Sequence, residues 1–96
     1  MMIEIKKNVE DTTIEIVGRL DTTTAPSLEK TINEDILDTK NLILDLKGLE
    51  YISSAGLRVL LSAQKRLKSG MKLKNVCEPV MEVFEMTGFV DILVIE

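Results

Sequence analysis

Histidine is absent from all 96 residues, and that absence excludes more chemistry than any other feature of the chain. A Ser-His-Asp triad, a histidine-ligated metal and a phosphohistidine relay are all ruled out. Cys77 is the only cysteine, so there is no internal disulfide, no CxxC motif and no cysteine zinc site. It reads as a small buried hydrophobe rather than a reactive thiol. Aromatic residues make up 3% and the net charge is −4, which supplies neither a basic surface nor a set of stacking platforms for nucleic acid. No apolar run approaches the ~20 residues of a membrane span, and the N-terminus lacks a signal-peptide pattern. Neither GxxxxGKS/T nor GxGxxG occurs, so an autonomous nucleotide site is not expected. The expectation is a soluble cytoplasmic protein that is not an enzyme, carries no cofactor, and binds neither nucleic acid nor membrane.

What is present is the composition of a folded domain. With 45% hydrophobic and 29% charged residues, the chain is globular rather than disordered. Its length points to one domain over residues 1–96. A chain of about 100 residues buries roughly two-thirds of its unfolded surface, enough for a core without covalent staples.

Ile3, Ile5 and Lys7 begin an alternating edge strand. Asn8-Val9-Glu10-Asp11 supplies turn residues, and Thr13–Val17 resumes with β-branched side chains, which predicts a hairpin. Gly18-Arg19-Leu20-Asp21 leaves that strand. Thr24 is placed to N-cap a helix that tolerates Pro26 in its first turn. Leu28, Ile32 and Ile36 lie on one face of it. Asn41–Leu46 is the most apolar strand and is expected to be central, with Lys47-Gly48-Leu49-Glu50 as a connection. The longest helix should run from Ser54 or Ala55 to Ser69, burying Leu57, Leu60, Leu61 and Leu67. Lys65, Arg66 and Lys68 suit its C-terminal dipole, and Gly70 is its expected C′ residue. Met71–Val76 alternates as a strand. Pro79 opens a helix to Thr87, with apolar contacts from Val80, Val83, Phe84 and Met86, and Gly88 closes it. Ile92–Ile95 is read as a last strand. The order is ββαβαβαβ: an α/β fold with a mixed sheet, an N-terminal antiparallel hairpin and parallel βαβ crossovers.

Two segments stand out as candidate sites. Ser53 and Ser54 lie between an apolar strand and a long helical pattern. Free N–H groups and the positive end of the dipole there favour an oxyanion. The pair reads either as ordinary helix capping, worth ~1 kcal/mol, or as a display site for a phosphorylatable serine, and the two are compatible. Asp21-Thr22-Thr23-Thr24 reads as a capping loop or as a source of a carboxylate for a partner's basic groups. Arg58 falls one turn into the long helix, exposed beside the serines. Met71, Met81, Met86, Phe84 and Phe89 read as core rather than as a cofactor pocket. Asp45 is placed to orient a nearby backbone group.

Tyr51-Ile52-Ser53-Ser54-Ala55-Gly56-Leu57 resembles the signature of the STAS-domain anti-sigma factor antagonists, also called anti-anti-sigma factors. Gly18-Arg19-Leu20-Asp21 with Thr24-Ala25-Pro26 resembles the other motif of that family, about thirty residues earlier. The likeness spans the whole chain. It implies a partner anti-sigma factor that is a serine kinase. That partner binds the unphosphorylated antagonist, releases a sigma factor and can phosphorylate a serine where the helix starts. A PP2C-type phosphatase would reverse the modification. Matching on Gly56 places the acceptor at Ser54, with Asp21, Thr22, Thr24, Ser53, Gly56 and Arg58 on the docking side. The family's Asp-Ser-Ser/Thr-Gly is Ser53-Ser54-Ala55-Gly56 here, without the acidic residue or the second hydroxyl. Ser53 is therefore a competing acceptor.

Three readings follow. The first is an anti-sigma factor antagonist switched off by phosphorylation at Ser54. The second is a STAS interaction module that is never phosphorylated, in another signalling or a transporter-associated assembly, and the missing acidic residue favours it. The third, an enzyme with Ser54 as nucleophile, requires a lysine base, and no lysine lies near Ser54 in sequence.

Overall fold

Alternating side chains build the sheet. In the computed structural model, which describes residues 1–7, 11–35, 41–67 and 70–96, β1 (Met2–Lys7) and β2 (Asp11–Leu20) pair as an antiparallel hairpin. β3 (Asn41–Ile52) lies parallel to β2, and β4 (Met71–Lys74) parallel to β3, in the order β1-β2-β3-β4. Thr12, Ile14 and Ile16 of β2, Leu42, Leu44 and Leu46 of β3, and Met71 and Leu73 of β4 are buried at every second position. That is the period of a sheet with one covered face. The cover is α1 (Ala25–Asp35), α2 (Ser54–Leu67) and α3 (Glu78–Thr87), which contribute Leu28, Ile32, Leu57, Leu60, Val80 and Phe84 to the same core cluster. The intervening residues leave Met2, Glu4, Val17, Lys72 and Lys74 exposed.

The expected order ββαβαβαβ fits, its last strand shrunk to a single bridge, with several elements redrawn. The first hairpin turn, apart from Asp11, lies outside the described residues, as do Ile36, Lys68 and Ser69. β2 does not end at Val17 but runs on through Gly18, Arg19 and Leu20. Lys47-Gly48-Leu49-Glu50 is not a connection either, because Gly48 pairs with Val17 and Leu49 with Gly18. β3 accommodates these residues through two irregularities, opposite Glu15/Val17 and Gly18/Arg19, where it has one residue more than β2. Such bulges shift the side-chain phase, so Leu46, Leu49 and Ile52 are all buried. Asp45 fits its expected role: its Oδ1 accepts from the Lys47 N–H at 3.0 Å and from Asn75 Nδ2 at 3.0 Å.

β4 stops at Lys74 instead of Val76. Asn75 has a left-handed φ of 58°, which a strand cannot hold and which asparagine tolerates. On α2 the buried residues are Gly56, Leu57, Val59, Leu60 and Ala63. Leu61 is only half-buried, and Leu67 packs at the margin. Met86 was expected to make apolar contacts on α3 but is 86% exposed. The expected strand over Ile92–Ile95 is reduced to a single parallel bridge between Leu73 and Ile95. After the left-handed Gly88 (φ 79°) the chain takes another helical turn, Phe89–Asp91. Leu93 then plugs the core, leaving only the last residues extended beside β4.

Candidate functional site

The parallel pairing of β2 with β3 determines where the two motifs meet. The strands end together, Leu20 opposite Ile52, so the β2–α1 turn and the β3–α2 junction emerge side by side. The Ser53 N–H donates across the gap to the Leu20 carbonyl at 2.9 Å. Asp21, Thr22 and Thr24 are thereby gathered at the same end of the sheet as Ser53, Ser54 and Arg58, which lie about thirty residues and more further along the chain.

In the first loop, Asp21 Oδ1 accepts from the Thr23 N–H (3.0 Å), the Thr24 N–H (3.2 Å) and the Thr23 hydroxyl (2.7 Å). The Thr24 hydroxyl accepts from the Asp21 N–H at 2.8 Å and donates to the Arg19 carbonyl at 2.8 Å. This is the reciprocal geometry of a capping box, with threonine in the role usually taken by Glu or Gln. It corrects the expected cap: Thr24 offers its carbonyl to Leu28, but the side-chain cap is Asp21, one turn earlier. Hydrogen bonding to the Thr23 hydroxyl, then to the Thr23 and Thr24 amides, holds the Asp21 carboxyl below its ordinary pKa. One carboxylate oxygen is thus committed within the loop, and the other stands 4.0 Å from Arg19 Nε. Thr22 is left exposed between them.

In the second loop the two serines have different environments. Ser53 is half-buried and is the N-cap of α2: its Oγ accepts from the Gly56 N–H at 3.4 Å and its carbonyl from the Leu57 N–H at 2.9 Å. Ser54 is the first helical residue and is exposed. No described group engages its hydroxyl, and the helix N-terminus favours negative charge there. Gly56 is buried and offers no side chain to a partner. A Cβ on it would lie 2.7 Å from Leu20 Cγ and 2.9 Å from Ile52 Cγ1, so this glycine lets α2 close onto both strands directly beneath the serines. Arg58 is exposed. With Thr22, Pro26, Glu29 and Ala55 it lines a shallow groove of about 190 Å³ between α1 and α2.

Arg19 and Tyr51 also belong to this end of the molecule. They pair across β2 and β3, and the Arg19 guanidinium carbon sits 4.2 Å from the centroid of the Tyr51 ring, a cation–π contact. Both are quoted in the motifs, yet the sequence gives no sign that they touch, because their pairing depends on the second irregularity in β3. Among the described residues, no cluster of three His, Cys, Asp or Glu side chains could hold a metal ion. No described helix is long and apolar enough to cross a membrane.

Comparison with known proteins bears on the family and the fold. The sequence matches the STAS domain over residues 1–96. It is 30% identical over 94 residues to an anti-sigma-B factor antagonist of Bacillus subtilis, covering 95% of this chain and 86% of that protein. It is also 46% identical over 56 residues to a putative anti-sigma factor antagonist, BtrV, of Bordetella bronchiseptica, covering 55% of this chain and 48% of that one. Among solved structures, unphosphorylated SpoIIAA, an anti-sigma factor antagonist, superposes with a TM-score of 0.84 at 20% identity over 99% of this chain and 88% of that one. The phosphorylated form of Bacillus SpoIIAA superposes with a TM-score of 0.76 at 19% identity, over 99% and 91% of the two chains. These structural matches carry the fold, and the sequence matches carry the kinship: the chain belongs to the STAS-domain family of anti-sigma factor antagonists.

Proposed function

We propose that this antagonist docks an anti-sigma factor serine kinase on the end of the sheet formed by Asp21–Thr24, Ser53, Ser54 and Arg58, and that phosphorylation of Ser54 ends the interaction. The observation that carries this reading is the division of labour between the serines. The Ser53 hydroxyl is used in the cap, while that of Ser54 faces solvent at the first residue of α2. An acceptor must present its oxygen to a kinase, and a phosphate on Ser54 would be received by the free N–H groups and dipole of the helix. The bound kinase would bring its own ATP and metal, and a PP2C-type phosphatase would restore the docking state.

Unphosphorylated, the face offers Arg58 and the exposed Thr22 beside a groove. Phosphorylated, it carries roughly −1.5 to −2 additional charges, which repel an acidic or phosphate-bearing partner surface. The second reading, a module that docks constitutively and is never modified, is favoured by Ser53 standing where the family has an acidic residue. One experiment separates the two. The protein is incubated with its cognate anti-sigma factor and ATP and weighed intact. A single phosphoryl adduct that persists in Ser53→Ala and disappears in Ser54→Ala supports the switch. An adduct mapped to Ser53 overturns the assignment of Ser54, and binding without any adduct supports the constitutive module.

A further inference from the structure

We propose that the free edge of β1 pairs with the β1 of a second copy, joining two sheets into one around a two-fold axis at Ile5. β1 is a terminal strand of the sheet and, among the described residues, pairs only with β2. Its outer row of N–H and C=O groups is therefore open to another strand, the situation that edge strands must otherwise be protected against. The other terminal strand, β4, is partly closed: Leu73 donates to the Val94 carbonyl and accepts from the Glu96 N–H.

The side chains of β1 are incomplete as the chain stands. Ile5 lies opposite Ile14 on the helix-covered face, yet it is 40% exposed where Ile14 is fully buried, because β1 has no neighbour on its far side. On the other face Glu4 stands directly opposite Glu15, a like-charge pair that is unfavourable across strands. Lys6 turns to Glu15, with its ammonium 3.0 Å from Glu15 Oε1, and the same contact raises the Lys6 pKa. Among the described residues Glu4 has no ion pair of its own, acting on Lys6 only as a weaker influence than Glu15.

A two-fold axis makes the contact isologous and the paired strands antiparallel. The open backbone groups of an edge strand belong to alternate residues, so only every second register aligns them. With Glu4 on the axis, two carboxylates meet. With Lys6 on the axis, two ammoniums meet. With Ile3 on the axis, Glu4 faces only Met2 and Lys6 is left over. With Ile5 on the axis, Glu4 of each copy faces Lys6 of the other, and the two Ile5 side chains cover each other. One register therefore satisfies the charge and the apolar contact at once. It places Lys6 between Glu15 of its own chain and Glu4 of the second copy. The interface is small, so the dimer is weak and concentration-dependent. It leaves both Ser54 ends free, at opposite ends of the joined sheet, because β2 of one copy runs antiparallel to β2 of the other.

Sedimentation equilibrium of the full chain in low salt, up to about 1 mM, tests this together with charge exchange. The wild type should dimerise, less so as salt is added. Glu4→Lys alone and Lys6→Glu alone each set like charges opposite one another twice, and each should weaken association on the order of tenfold or more. The double variant Glu4→Lys/Lys6→Glu recreates both pairs in reverse and should restore it. Both substituted positions are exposed, so circular dichroism should be unchanged throughout. Wild type that stays monomeric overturns the proposal and leaves the edge to a strand of another protein or to none. Association that ignores all three variants, or that the double variant fails to restore, overturns it too, by placing the contact elsewhere or in another register.

Discussion

At the residue scale, the site rests on two residues whose roles the geometry separates from the rest. Gly56 is required by packing: the nearest atoms its Cβ would strike are γ carbons of buried Leu20 and Ile52, close to the backbone and unable to swing away. Gly56→Ala should therefore destabilise the domain by about 1–3 kcal/mol through overpacking, and chemical denaturation reads this directly. Asp21 is required by capping. Its folded pKa lies below the ordinary carboxylate value, so the stability linked to its ionised form is fully present above the unfolded pKa of about 3.9. That stability falls away as the pH drops toward and through the lower folded value. Asp21→Asn should flatten that part of the acid limb in denaturation curves taken stepwise from neutral pH downward, leaving a smaller difference from wild type in acid than at neutrality. Residues of this kind are legible in part. The glycine and the aspartate are visible in the sequence as motif positions, but that Asp21, not Thr24, provides the side-chain cap depends on a backbone turn whose hydrogen bonds only the structure shows.

At the scale of elements, α2 divides cleanly into a face that holds the fold and a face that meets solvent. Leu60 is fully buried, while Arg58, two residues earlier, is exposed. Leu60→Ala should cost about 2–5 kcal/mol, whereas Arg58→Ala, an exposed change outside any cap or ion pair among the described residues, should stay within about 0.5 kcal/mol of wild type. Arg58→Ala should nevertheless weaken binding to the anti-sigma factor. Thermal melts paired with calorimetric titration check both halves, and equal destabilisation would mean that the docking face has been misplaced. The 3.6-residue period made Leu57 and Leu60 readable and carried Leu61 along wrongly, because Val59 and Ala63 turn the buried stripe toward the strands. Short elements were less readable. Met86 sits on a ten-residue helix whose apolar positions nearly encircle it, so periodicity alone could not say which would be covered.

Over the whole molecule, phosphorylation would move the net charge from −4 to about −6, at a helix end that favours the added charge. The switch thus needs no rearrangement of the fold. Ser54→Asp should keep the wild-type circular dichroism spectrum and melt within a few degrees of it, while losing much of its affinity for the anti-sigma factor. Lost affinity with a collapsed fold would instead make Ser54 a structural residue. The architecture as a whole was the most legible level, since alternating strands separated by apolar-faced helices leave few arrangements besides a mixed sheet with one covered face. What the sequence concealed is the accommodation between its two longest strands.

β2 has 10 residues and β3 has 12, yet Asp11 faces Asn41 at one end and Leu20 faces Ile52 at the other. Seen as a record of descent, this mismatch marks where a gene of this family can gain or lose a codon. A residue removed at Lys47 or Glu50 comes out of a bulge, and the serines still arrive beside Leu20. A residue removed at Ile43 inverts every side chain between there and the next bulge, sending Leu44 outward and Asp45 into the core. A library of single-codon deletions across residues 41–52, sorted for folded protein, should yield survivors clustered at those two bulges. Length changes among related chains should accumulate at the same two places.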